Sequence, residues 1–171
     1  MNANQILFLI VIIVFGTLVI LSYIFEIKKI KNTDLLWGGV STKQRKFFTF
    51  SMLLGAISFF IFSSYIFTLQ GGNIDLLFID LVYAILLCSA ALWIPLMERY
   101  INTQKKVYWT LTRISLILVG FCSFILLGIV AFSGYSGIHF IFSVIGLSIF
   151  TFHTVVLDAS VWPCLYTSSK R

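Results

Sequence analysis

Apolar residues fall along this chain in five long runs, each close to the roughly 20 residues that a helix needs to cross a hydrocarbon core. Short polar or basic stretches separate them. The runs predict transmembrane helices at about 6–25, 47–69, 76–96, 114–132 and 138–161, giving an all-α bundle of five spans and a single domain over residues 1–171. The first run, Ile6 to Phe25, is longer than the ~7–15 residues of a signal-peptide core and lacks a small-residue cleavage site, so it is expected to remain as a span.

The polar stretches between the runs are of two kinds. Glu26 to Lys46 carries Lys28, Lys29, Lys31, Lys43, Arg45 and Lys46; Glu98 to Arg113 carries Arg99, Lys105, Lys106 and Arg113; Lys170 and Arg171 end the chain. The other two connections, Gln70-Gly71-Gly72-Asn73 and Ser133-Gly134-Tyr135-Ser136-Gly137, are uncharged breakers. Lys and Arg close to a span hold their loop on the cytoplasmic side, so a distribution of twelve to none predicts an outer N-terminus and an inner C-terminus. Trp37, Trp93, Trp109 and Trp162 all fall on the predicted inner side, and Tyr65 and Tyr135 are the outer aromatic candidates.

Composition narrows the class. With 60% hydrophobic and 11% charged residues and a mean hydropathy of +1.03, the chain lies far from the roughly 25% charged residues of soluble domains. The net charge of +6 flanks apolar spans, which points to the bilayer and to anionic lipids at the inner face and excludes nucleic acid as a partner. Cys88 and Cys122 lie inside apolar runs and Cys164 just past the last one, so no disulfide is expected. No CxxC or Cys/His cluster at ligand spacing occurs, and no metal or cofactor is implied. Cys164, in Trp162-Pro163-Cys164-Leu165-Tyr166, is a juxtamembrane thiol of the kind that can be palmitoylated.

Small residues mark where helices can approach. Ser51, Gly55 and Ser58 share one face of the second span, Gly120 and Ser123 one face of the fourth, and Ala84, Cys88 and Ala91 one face of the third. Spans two and four also share Gly-x-x-Ser-Phe at an offset of 65, at Gly55 and at Gly120, a pattern compatible with two repeated hairpins behind an extra first helix.

The ionisable residues within spans are few. Asp80 lies about a turn inside the third span, where a carboxylate needs a partner or water. Alternating topology places Tyr65, Tyr135 and His139 at the same outer depth, with Tyr83 one turn further in, so these five define a candidate outer polar vestibule for a ligand. His153 shares a face with Gly146 and Phe150 and is expected to be a buried histidine looking into the bundle, with Ser89 as a partner. Asp158, near the inner interface, is expected to pair with Arg113 or Arg99.

No HExxH, GxSxG or P-loop occurs. The expectation is a non-enzymatic multi-pass membrane protein, either an accessory subunit that meets other transmembrane subunits or a lipid-contacting packing protein. The rival expectation is a small transporter or ligand-binding bundle opening outward around Asp80.

Overall fold

A computed structural model describes residues 3–30, 32–69, 76–134 and 136–168. All of its regular elements are helical: α1 (Ala3–Lys29), α2 (Asp34–Trp37), α3 (Thr42–Thr68), α4 (Leu76–Thr103), α5 (Lys106–Ala131), α6 (Ile138–Thr151), a π-helical stretch (Phe152–Val161) that continues α6, and α7 (Trp162–Ser168). Five helices of 26–29 residues are long and apolar enough to cross a membrane: α1, α3, α4, α5 and the α6–π–α7 rod. At 1.5 Å per residue each is about 40 Å long, more than the ~30 Å of a hydrocarbon core.

The surplus length lies at the basic ends. The segment from Glu98 to Arg113, predicted as a loop, is instead helix on both sides of a single break at Gln104, which takes a φ of 53°. It contains no Gly or Pro, and its side chains support the helix locally: Asn102 Nδ2 donates to Glu98 Oε1 at 2.6 Å, and Thr103 Oγ1 donates to the Arg99 carbonyl at 2.7 Å. At the start of α3, Ser41 and Gln44 form a capping box that begins the helix five residues before the apolar run.

Packing does not follow chain order. α1 packs on α4, α4 on α5, α5 on the rod, and the rod on α3, while α3 and α4 keep their backbones apart although a short connection joins them. Tyr83 of α4 fills the space between, fully buried against Phe8 of α1 and Phe59 and Phe62 of α3. Helices α3, α4, α5 and the rod thus form a four-membered ring, and α1 leans on its outside with most of its surface exposed.

The small residues set the closest approaches. A Cβ added to Gly55 would meet His153 and Phe150 at 3.7–3.9 Å, one added to Gly120 would lie 3.1 Å from Val155 Cγ2, and one at Gly146 would lie 3.4 Å from the Ser58 carbonyl. The Gly-x-x-Ser faces of α3 and α5 therefore converge on the same stretch of the rod from two sides.

At the basic end the tryptophans gather inside the bundle rather than spreading over its perimeter. Trp93, Trp109 and Trp162 pack with Tyr100 and Tyr166 at ring separations of 5.0–6.2 Å, and Trp162 is buried. The first basic loop folds over this cluster. Trp162 Nε1 donates to the Leu36 carbonyl at 3.0 Å, and Gly38, at φ 53°, lies so close to the Tyr166 ring that any side chain there would collide with it. Arg45 pairs with Asp34 and its Nε donates to the Val40 carbonyl at 3.0 Å, which closes the loop on itself.

Candidate functional site

The densest polar constellation within the ring lies where α3 meets the π-helical stretch. Ser51 Oγ is 3.0 Å from His153 Nδ1, and His153 Nε2 is 3.3 Å from Asp158 Oδ2. Ser51 and His153 are buried, and Asp158 is about one-third exposed toward the basic end. His153 thus binds Ser51 of α3 and not Ser89 of α4, whose carbonyl accepts from Ser115 Oγ. Asp158 pairs with His153 rather than with Arg113 or Arg99. The reason for the second difference is helical pitch. In an α-helix residues i and i+5 point about 140° apart, whereas i→i+5 bonding brings them onto one face. Ser160 Oγ also bonds to the carbonyl five residues back, Val155, at 2.8 Å.

Chemically, Asp158 beside Nε2 favours the tautomer that carries its proton there, leaving Nδ1 to accept from Ser51. Residue types match a Ser–His–Asp nucleophile relay, but the surroundings match a lock between helices. The backbone N–H groups around Ser51 lie in the middle of α3 and serve its own ladder, so they offer no oxyanion donors.

Similar polar pairs join the other long helices. Ser123 Oγ of α5 is 2.9 Å from Thr154 Oγ1 of the rod; Ser63 Oγ of α3 is 3.1 Å from Tyr83 Oη of α4; Trp93 Nε1 of α4 donates to Tyr23 Oη of α1 at 2.8 Å. With Ser115 to Ser89 and Ser51 to His153, each of the four packed pairs of long helices holds a cross-helix hydrogen bond among the described residues, and the Ser63–Tyr83 pair bridges α3 and α4 in addition. Thr154, Ser63 and Tyr23 were not singled out by sequence reading, since a hydroxyl on an apolar run bonds as readily to its own helix as to a neighbour.

The vestibule residues divide. Tyr83 is turned inward and bonded to Ser63. Tyr65 and His139 line a groove of about 810 Å³ between the end of α3 and the start of α6, and neither Asp80 nor Tyr83 is among its described lining residues. Asp80 is 6% exposed and has no hydrogen-bond or ion-pair partner among the described residues. Tyr135 lies outside the described residues, as does the connection Gln70-Gly71-Gly72-Asn73. Among the described residues no three His, Cys, Asp or Glu side chains group as metal ligands. Comparison with protein-family models, curated proteins and solved structures finds no match for this chain.

Proposed function

We propose that this chain is a multi-pass integral membrane protein, N-terminus outside and C-terminus inside, that works without catalysis as a lipid-contacting packing protein or as an accessory subunit of a membrane complex. One observation carries this reading: a hydrogen bond joins each packed pair of long helices, while the outward faces are broadly apolar. On α1 alone, Ile6, Ile10, Ile13, Val14, Leu18, Ile20 and Phe25 are exposed. Water would not tolerate such a surface, and lipid or partner helices would cover it. Anionic headgroups at the inner face are the counterpart of the basic end.

Orientation is tested by labelling single introduced cysteines. Ser136→Cys and Gly72→Cys are expected to react from outside in intact cells, and Ser41→Cys and Thr103→Cys only after permeabilisation; the reverse pattern would overturn the assignment. The accessory-subunit arm is tested by mild detergent extraction, where co-migration with other membrane proteins is expected. A chain that runs alone and carries only lipid selects the packing-protein arm.

A second reading, a small transporter or ligand-binding bundle around Asp80, is favoured by the burial of this carboxylate without a described partner. Under it, Asp80→Asn keeps the melting temperature of the parent. Asp80→Leu lowers it by the equivalent of about 1–3 kcal/mol, because the water or ligand group that pairs with this carboxylate under this reading loses its partner. A Leu variant at least as stable as the parent removes this reading.

A further inference from the structure

Past the close approach of Gly146 to Ser58, a groove lies between α3 and the rod toward the end opposite the basic residues. Side-chain size changes along one face of α3: Ser51, Gly55 and Ser58 are followed there by Phe62, Tyr65 and Leu69, while on the rod the buried Ser143 and then Phe140 follow Gly146 toward the helix start. Tyr65 and Phe140 meet ring against ring there at 6.3 Å. The groove has a volume of about 810 Å³, typical of small-molecule sites.

Its lining is graded along the helix axis. Ile61 and Phe142 form the part nearest the middle of the bundle; Ser64 and Tyr65 come next; Thr68, Ser136 and His139 surround the mouth. From Ile61 to Leu69 the groove follows α3 for about 12 Å. At the mouth α6 begins with neither a capping side chain nor an acidic residue in its first turn. Its first-turn N–H groups, which have no side-chain cap among the described residues, favour a negative charge, and the exposed His139 ring beside them can donate a hydrogen bond. An occupant must therefore be apolar over most of its length and carry an anionic group near one end, and it must enter sideways past Ile61, Ser64 and Phe142, which are exposed.

The geometry points to a glycerophospholipid of the outer leaflet as the occupant, with an acyl chain along Ile61 and Phe142 and its phosphate at His139 and the first turn of α6. This site rests on the lipid-contacting reading above and makes one position on the protein selective where bilayer contact alone would be uniform.

The test uses the full chain reconstituted in phosphatidylcholine vesicles that contain a phosphatidylcholine with a photoactivatable acyl chain. After irradiation and digestion, adducts are expected to concentrate on residues 61–69 and 138–142. Ser64→Trp, which fills the groove from an exposed position, is expected to reduce them about tenfold, the change produced by losing a modest set of contacts. Phe124→Trp, on an exposed face of α5, is expected to leave them unchanged. His139→Gln is expected to speed loss of the lipid during detergent washing. Adducts spread evenly over the exposed apolar faces, an unaltered yield in Ser64→Trp, or cross-linking of the groove to another protein chain would each overturn the site. Alkaline carbonate extraction separates the two ideas. A chain that stays in the membrane without groove adducts loses only this site, whereas a chain released by carbonate loses the membrane reading as well.

Discussion

Gly120→Leu is expected to destabilise the bundle by about 2–4 kcal/mol, read as a fall in melting temperature in detergent. A Cβ at this position would lie 3.3 Å from Val155 Cα and 3.4 Å from the Thr154 carbonyl oxygen, and these are backbone atoms that cannot rotate away. The remaining carbons of Leu must push α5 from the rod. That movement also stretches the 2.9 Å Ser123–Thr154 bond on the same seam. Gly55→Leu is expected to cost less, since its nearest neighbours are side-chain atoms at 3.7 Å and beyond. Gly128 supplies the control. Nothing lies within 4 Å of a Cβ there, so Gly128→Leu is expected to be neutral or to stabilise by up to about 1 kcal/mol through helix propensity. Equal melting of the Gly120 and Gly128 variants would show that the α5 seam is not where these helices close.

His153→Leu is expected to cost about 2 kcal/mol. It leaves the buried Ser51 hydroxyl and the Asp158 carboxylate without their shared partner. The cost stays near this value because Asp158 is about one-third exposed, so solvent screens its loss, and because a serine in a helix can turn back to its own carbonyls. The more discriminating measurement is a double-mutant cycle. Ser51→Ala should be less harmful in the His153→Leu background than in the parent, by about 0.6–1.7 kcal/mol, the range for hydrogen bonds between transmembrane helices. Strict additivity would mean that the two residues are neighbours without a coupled bond. Asp158→Asn tests the other arm, and a smaller loss than in Asp158→Leu is expected because the amide oxygen still accepts from Nε2.

Much of the architecture was legible in the sequence because each step rests on a local signal. Five runs of about 20 apolar residues specify five long helices, since in a hydrocarbon core the backbone groups within such runs can be satisfied only by one another. Gly55, Gly120 and Ser123 could be assigned to faces because the 3.6-residue period is a property of one helix. The extent of the helices was less legible. Glu98 to Arg113 looked like a loop by polarity, and polarity marks where apolar runs end without saying whether the helix ends with them.

What the chain determined alone is therefore the number and character of its helices, the gathering of its cations at one end, and the faces available for packing. These follow from residue type and spacing over short stretches. The tertiary structure decided the rest. It paired α3 with the rod rather than with its sequence neighbour α4, because Tyr83 occupies the space between α3 and α4 while Gly146 allows close approach to Ser58. It joined His153 to Asp158 through a π-helical pitch that no residue period announces. It also drew three of the tryptophans into one interior cluster and set Tyr65 and His139 on a groove that Asp80 does not line. Each of these outcomes depends on which surfaces meet, and a choice among several apolar faces of similar energy is settled only when all five helices pack at once.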